Sequence, residues 1–284
     1  MAPTAATPRL DIVKNLRKIS RWTVLTNCFA GYRIAVVWSL HKISEGSQNG
    51  RTMARHQRIA PQGVSQHVIQ RGNNRSPCFY DEKDFIAYTG WLKQYSSKFE
   101  VDIHAWVLMT NHVHLLCTPR LDNQGISKMM QSLGRVYVRF FNHKYQRTGT
   151  LWEGRFRSSL VNSEAYLLRL QQYIELNPVR ANMVESPNRY KWSSFAMNGL
   201  GKSSSLYTAH PVYMSLSKTK DSRLLAYQSL FEQPLGADLL TEIRNCSQRE
   251  LVLGDSDFIR QIESLTNTKL KAAKKGRPFK NNGL

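Results

Sequence analysis

Cysteine is scarce in this chain and widely scattered. Its 284 residues include four cysteines, and no two of them form a C-x-x-C pair: Cys28, Cys78, Cys117 and Cys246. Zinc ribbons and thiol redox sites need closely spaced cysteines, so the sequence argues against both. Such sparse cysteine usage fits a reducing compartment, and we expect a cytoplasmic protein.

Long apolar runs are also lacking. No stretch of about 18 or more uncharged apolar residues occurs, so we expect no membrane span. The most apolar segment, residues 21–40, is interrupted by Arg33 and is followed by no clear cleavage site, so it does not predict a targeting signal. A natural chain start is indicated at Met53, which makes residues 1–52 an N-terminal extension, either dispensable or a mis-assigned start.

Acidic residues are few relative to basic ones. The chain has 20 Asp and Glu against 40 Lys and Arg, a formal net charge of +20. A charge this far from zero implies a polyanionic partner, either nucleic acid or an anionic membrane surface. Because no lysine-rich amphipathic helix stands out, we expect the basic surface to face nucleic-acid phosphates.

The order of apolar patterns predicts an α+β fold. The stretch VSQHVIQRG alternates as a strand does, Asp81 begins a helix with one apolar stripe, and VDIHAWVLM and HVHLLCT are two further strands. A second helix is predicted over residues 125–145, then a last strand in the region of GTLWEGRFRSSLV, then a third helix capped by Ser163. This order favours an antiparallel sheet with helices on one face.

The pattern changes after residue 200, where GKSSS is typical of a linker. Residues 201–268 are predicted to form a helical C-terminal segment, and residues 269–284 a basic, disordered tail. Arg277 in the tail lies in a Gly-Arg-Pro sequence similar to the AT-hook, which binds the DNA minor groove. The helices of the segment are expected near residues 221–232, 235–246 and 255–265.

Two histidines flank one valine in TNHVHLL. On a strand, His112 and His114 point to one face and Val113 to the other. Paired imidazoles are metal ligands in many proteins, but a metal site needs at least three ligands. The pair is therefore either part of a metal site or two unrelated polar residues on a half-solvated strand.

The third predicted helix carries the best companions for these histidines. Tyr173 and Asn177 are four positions apart and so share a helix face, where the amide could bind a metal and the phenol could act as a nucleophile. They could equally be a helix-face aromatic and a C-terminal cap. Because Asn177 precedes Pro178, helical geometry at Asn177 is itself disfavoured.

Five motifs in order along the chain carry a family resemblance. HVIQRGNNR, HAWVLMTNHVHLL, LWEGRFRSSLV, YIELNPVRANMV and RYKWSSF together resemble the REP-associated tyrosine transposases and their insertion-sequence relatives, which are HUH single-strand nucleases. The resemblance spans residues 53–200 and implies a ferredoxin-like catalytic domain there. It also implies DNA cleavage and joining without a high-energy cofactor, beside a hairpin in single-stranded DNA.

The resemblance carries the family's functional residues onto this chain. The metal ligands fall on His112, His114 and Asn177, the divalent ion being Mg²⁺ or Mn²⁺, and the nucleophile falls on Tyr173. One tyrosine in the motif implies a single-tyrosine enzyme that forms a 5′-phosphotyrosine intermediate. Glu153 and Arg157 are expected to serve the fold or the DNA and not the chemistry.

Other basic residues are candidates for contacts with the DNA backbone. These are Arg71, Arg75, Lys128, Arg135, Arg139, Arg155 and Arg157. Two alternative functions stay open at this stage: a non-catalytic DNA-binding regulator derived from a transposase, and a hydrolytic metalloenzyme, for which the motifs offer no general base. The related enzymes imply a monomer or a homodimer.

Overall fold

The structure is a computed structural model that describes Arg58, residues 60–267 and Leu270. The extension at residues 1–52, and the tail from residue 271 with Arg277, lie outside the described residues. The strands are β1 Gln66–Arg71, β2 Val101–Met109, β3 His112–Pro119 and β4 Arg157–Leu160. The helices are α1 Glu82–Lys98, α2 Gly125–Lys144, α3 Ser163–Glu175, α4 Asn177–Arg180, α5 Phe195–Asn198, α6 Pro211–Met214, α7 Lys220–Ser229, α8 Ala237–Arg249 and α9 Ser256–Thr266.

The four strands form one antiparallel sheet in the order β2-β3-β1-β4. Along the chain the elements run β1-α1-β2-β3-α2-β4, which is the ferredoxin-like pattern. Strand β3 lies at the centre, with β2 on one side and β1 on the other. The predicted α+β class and its ferredoxin-like sheet are therefore confirmed.

One face of the sheet packs against α1 and α2, as predicted. Val113 is only 1 % exposed there and shares a core with Tyr88 and Leu92 of α1 and with Leu133 and Tyr137 of α2. The valine between the two histidines thus faces the main hydrophobic core. The histidines themselves lie on the other face.

The opposite face is also covered, by α3 and by the C-terminal segment. Leu170 and Ile174 of α3 share a second core with Leu116 of β3 and with Ile243 and Cys246 of α8. The sequence pattern predicts helices on one face of the sheet. The structure has that layer and a second one, formed by α3 and α8, on the other face. A signal for it lies in β2, whose nearly continuous apolar run is typical of a strand buried on both faces.

Both edges of the sheet are covered by later parts of the chain. The backbone N–H groups of Leu108 and Ser194 donate to Trp192 and Trp106 across the free edge of β2. On the other edge, Leu253 N–H donates to Leu160 at the end of β4. These backbone bonds tie residues 192–194 and the C-terminal segment to the sheet and leave little edge for unwanted strand pairing.

The helix ends follow the sequence with one exception. Asp81 caps α1, as predicted, and the structure adds a capping box with Asp84. The predicted cap of α3 at Ser163 is wrong, because Asn162 is the cap and its side chain accepts from the N–H of Glu164. The predicted helices after residue 200 are confirmed by α7, α8 and α9. Within the described residues, no helix is long and apolar enough to cross a membrane.

A buried carboxyl group fixes α3 against the helices that follow it. Glu175 is fully buried and accepts hydrogen bonds from Ser194, Asn198 and Tyr227. Burial raises its pKa from the ordinary value of 4.5 to about 7, although the three donors oppose that shift. The orientation of α3, which also carries Tyr173, depends on this cluster.

We predict that Glu175 makes the stability of the fold pH-dependent. Between the two pKa values the folded state holds a proton that the unfolded state has lost, so the free energy of unfolding falls as the pH rises from 4.5 to 7. The fall attributable to this group is about 3 kcal/mol and is absent in Glu175→Gln. Urea denaturation of both proteins at several pH values measures the difference.

The exposed Glu164 on the same helix gives the matched control. The free energy of unfolding of Glu164→Gln should change with pH in the same way as that of the parent protein. If the free energy of unfolding of Glu175→Gln also follows that of the parent protein at every pH, the Glu175 carboxyl does not keep its proton on folding.

Candidate metal and tyrosine site

The strand register collects polar side chains on the face that α3 and α8 cover. His114 lies opposite Ile69 of β1 and Val107 of β2, and His112 lies opposite Arg71 of β1. Because side chains alternate along a strand, His67 shares this face with Ile69 and Arg71. Three histidines and an arginine therefore lie together at the centre of the sheet.

Tyr173 reaches this group from α3. Its ring centroid is 6.0 Å from that of His114 and 6.1 Å from that of His67, in both cases edge to face. The rings of His112 and His114 are 5.0 Å apart. Tyr173 is 7 % exposed, so its ring packs in the second core while it lies beside the histidines. The structure thus brings the predicted nucleophile to the predicted ligand pair.

The hydrogen bonds of His112 fix which of its nitrogens is free. Its Nδ1 lies 2.6 Å from Oδ1 of Asn111, whose Nδ2 donates to the carbonyl of Arg75. Since a carbonyl oxygen only accepts, His112 carries its proton on Nδ1 and presents the lone pair of Nε2. Burial, followed by the charge of Arg71, lowers the pKa of His112 from 6.5 to about 4, so the ring is neutral at pH 7.

His114 is held from the same side by a third histidine. Its Nδ1 is 2.8 Å from Nε2 of His67, and the two rings lie edge to edge, with centroids 5.0 Å apart and planes inclined by only 18°. Burial lowers the pKa of His67 to about 3 and holds that of His114 well below its usual 6.5. Both rings are therefore neutral, which is the form that binds metal ions.

Asn177 acts as a C-terminal cap, one of the two interpretations that its sequence left open. Helix α3 ends at Glu175, and Asn177 begins the short α4, consistent with the constraint from Pro178. Its Nδ2 donates to the carbonyls of Tyr173 and Ile174, so the amide caps α3. Because Nδ2 makes both bonds, Oδ1 is left for another partner.

The donor types in this group match those that divalent metal ions bind. Among the described residues, no group of three or more His, Cys, Asp or Glu side chains could hold one, so a third protein ligand has to be another type of oxygen or nitrogen. Two neutral imidazoles on neighbouring alternate positions of β3, with an amide oxygen from the end of α3, supply such a mixed set.

Arg180 also lies in this site, although no sequence pattern assigns it there. Its guanidinium carbon lies 4.2 Å from the ring centroid of Tyr173, and its Nη2 donates to the Tyr173 carbonyl at 2.8 Å. Its Nη1 is buried without a hydrogen-bond partner, and burial lowers the pKa of the group. The turn of α4, which folds Arg180 back over Tyr173, has no clear signature in the sequence.

Three predicted DNA contacts line one cavity beside the histidines. Arg71, Arg155 and Arg157 surround a space of about 70 Å³ together with Glu153. Arg157 lies opposite Ile69 in the register, which puts it on the histidine face of the sheet. One wall comes from α8, through Ser247 and Gln248.

The other predicted contacts lie elsewhere. Arg75 is exposed in the turn after β1, and its carbonyl is bonded to Asn111 next to His112. Lys128, Arg135 and Arg139 are exposed on α2, which covers the opposite face of the sheet. Lys128 there is paired with Asp122 at 2.6 Å. The structure therefore separates an arginine group at the site from a basic face on α2.

Removal of Arg180 is expected to destabilise the end of α3. Arg180→Ala loses the bond to the Tyr173 carbonyl and the contact over its ring, and should lower the free energy of unfolding by about 1–3 kcal/mol. Arg180→Lys should recover only part of the lost free energy of unfolding, because an ammonium group lacks the planar guanidinium that makes both contacts. The exposed Arg169 of α3 is the control, and Arg169→Ala should change stability by less than about 0.5 kcal/mol in the same denaturation assay. Equal losses for the two alanine variants would contradict the assignment.

Comparison with known proteins finds a family model that matches part of this chain. Residues 62–177 match the family described as Transposase IS200 like. Among solved structures, that of a REP-associated tyrosine transposase bound to a REP hairpin is 20 % identical, covers 56 % of this chain and 93 % of its own, and has a TM-score of 0.43. A Deinococcus radiodurans R1 protein assigned as a transposase is 22 % identical, covers 45 % of this chain and 96 % of its own, and has a TM-score of 0.31.

No curated protein matches the chain. The family match begins before β1 and ends at Asn177, so it contains the whole sheet, both histidines of TNHVHLL and Tyr173. Residues 62–177 of this chain are therefore similar to the IS200-like transposase family, as the motifs predicted.

Proposed function

We propose that the protein is a transposase that cleaves and joins single-stranded DNA at a hairpin or repeat end through Tyr173. The observation that carries this proposal is the position of the Tyr173 ring, 6.0 Å from His114 on the histidine face of the sheet. A phenol beside a pair of neutral imidazoles is suited to phosphoryl transfer, with Tyr173 as the nucleophile.

The reaction is a transfer of one phosphodiester bond. The Oη of Tyr173 attacks the scissile phosphorus and loses its proton, while the bond from phosphorus to the 3′ oxygen breaks and that oxygen gains a proton. The products are a 5′-phosphotyrosine and a free 3′-hydroxyl. Because the number of phosphoester bonds is unchanged, a second 3′-hydroxyl can reverse the step and join a new end.

The residues around Tyr173 hold the reactants in place. His112 and His114, through Nε2, and Asn177, through Oδ1, would hold Mg²⁺ or Mn²⁺. A divalent ion bound there would polarise the scissile phosphate and offset its growing negative charge. Arg180 keeps the Tyr173 ring in position from the side of α4.

The DNA is proposed to reach the site along the arginine cavity. Arg71, Arg155 and Arg157 lie on the histidine face, and guanidinium groups bind phosphate oxygens in a two-pronged manner. The backbone carbonyl of Arg75 accepts a hydrogen bond from Asn111, which precedes His112 in the chain. Lys128, Arg135, Arg139 and Arg277 are proposed to contact DNA outside the reacting centre.

The nucleophile can be tested by trapping the covalent intermediate. The probe is a pool of hairpin oligonucleotides with randomised single-stranded flanks and a label at the 3′ end, mixed with the full chain and Mn²⁺. The parent protein should carry the label through denaturing electrophoresis, because the 5′ end of the labelled fragment is bound to Tyr173. Tyr173→Phe and added EDTA should each abolish the adduct.

Tyr166 is the matched control for this experiment. It lies on the same helix and its hydroxyl donates to Glu242, away from the histidines, so Tyr166→Phe should keep the adduct. An adduct that survives in Tyr173→Phe refutes the nucleophile. No adduct with the parent protein would favour the non-catalytic DNA-binding regulator.

The arginine cavity can be tested by the salt dependence of binding. Arg155→Gln and Arg157→Gln should each weaken binding to fluorescently labelled single-stranded DNA of any sequence and reduce the slope of log affinity against log salt by about one. Lys98→Gln, exposed at the end of α1 on the other face, should leave the slope unchanged. Fluorescence anisotropy at several salt concentrations measures the slopes, and equal slopes in all four proteins would refute the cavity as a phosphate site.

A further inference from the structure

A chain of buried hydrogen bonds leads from α8 to the candidate metal ligand His114. Ser247 Oγ lies 3.0 Å from Nδ1 of His67, whose Nε2 lies 2.8 Å from Nδ1 of His114. Ser247 also donates to the carbonyl of Ile243 one turn earlier in α8, at 2.7 Å. Ser247, His67 and His114 are each at most 5 % exposed, so water does not replace these contacts.

The direction of these hydrogen bonds decides whether His114 can bind a metal. A serine hydroxyl has one proton, and here it is given to Ile243, so Ser247 accepts from Nδ1 of His67. The Nε2 of His67 then has a lone pair and accepts from Nδ1 of His114. This leaves the lone pair of Nε2 on His114 free. With every proton reversed, Nε2 of His114 would carry a hydrogen and could not be a ligand.

We propose that His67 and Ser247 are positioning residues that set the tautomer and the orientation of His114 as a metal ligand. This inference rests on the proposed function, because it assumes that a divalent ion binds at His112 and His114. Outer partners of this kind fix the ring of a metal-binding histidine and increase its basicity as a ligand.

The inference gives the C-terminal segment a role in the site. Ser247 lies in α8, outside residues 62–177 that match the family, whereas His67 lies within them. Helix α8 contacts β4 and β1 and contributes Ile243 and Cys246 to the core under Tyr173. The part of the chain beyond the matched region therefore completes the ligand environment that β3 begins.

Mn²⁺ titration of the full chain, followed by the electron paramagnetic resonance signal of free Mn²⁺, tests the proposal. His67→Leu removes the acceptor for His114 and should weaken Mn²⁺ binding about 10- to 100-fold. His67→Gln, whose side-chain oxygen can accept the same hydrogen bond, should restore most of the affinity. Ser247→Ala should weaken binding in the same direction and by less, because it acts through His67.

Two controls separate the possible failures. Thr241→Val removes a hydroxyl on the same helix that donates to the carbonyl of Ala237, and should leave the Mn²⁺ affinity unchanged. If His112→Ala and the parent protein bind Mn²⁺ equally, the proposed metal site itself fails. If His112→Ala loses binding while His67→Leu keeps it, only the positioning role is refuted.

A second measurement does not depend on any variant folding. Long-range ¹⁵N–¹H NMR spectra of the histidine-labelled, metal-free protein report which ring nitrogen carries the proton. Both His67 and His114 are expected to be protonated on Nδ1. A proton on Nε2 of His114 would overturn the proposal.

Discussion

The position of β3 between β1 and β2 is the constraint on which the site depends. Antiparallel pairing on both sides leaves β3 no freedom of register, because a shift by one residue would move every side chain to the other face. Val113, Leu115 and Cys117 fill the main core under α1 and α2. His112 and His114 are thereby forced onto the face where α3 carries Tyr173. Burial of the apolar side chains of β3 on one face therefore fixes the side chains of His112 and His114 on the other.

The layer on the second face of the sheet depends on α3, which makes different contacts on its two sides. Tyr173 faces the histidines, and Glu175, two residues on and therefore roughly on the opposite side of the helix, is bonded to Ser194, Asn198 and Tyr227. Arg180 and Asn177 then close the end of the helix through the Tyr173 carbonyl. A buried carboxyl cluster on one side and a capped terminus hold the phenol in place. The side chain of Tyr173 is consequently fixed by long-range contacts, several of them from beyond residue 190.

The sequence was sufficient for features that depend on local patterns. Alternation in TNHVHLL predicted which side chains share a face, and the motifs predicted that Tyr173 and the histidines serve one site. The start of α1 at Asp81 and its apolar stripe were also predicted from the sequence. The residues that it did not reveal act across long separations: His67 and Ser247 are 180 positions apart, and Arg180 reaches Tyr173 through a turn whose path depends on packing. The same limit applies to the layer on the second face, since periodicity shows that β2 is buried but not what covers it.

We propose that His112, His114 and Asn177 hold one divalent ion beside Tyr173. A crystal structure of the full chain grown with Mn²⁺, with anomalous diffraction data collected to locate the manganese, tests it most directly. We expect a single strong anomalous peak within bonding distance of Nε2 of both histidines and Oδ1 of Asn177. A peak bound by other side chains, or a peak that leaves out either histidine, would contradict it.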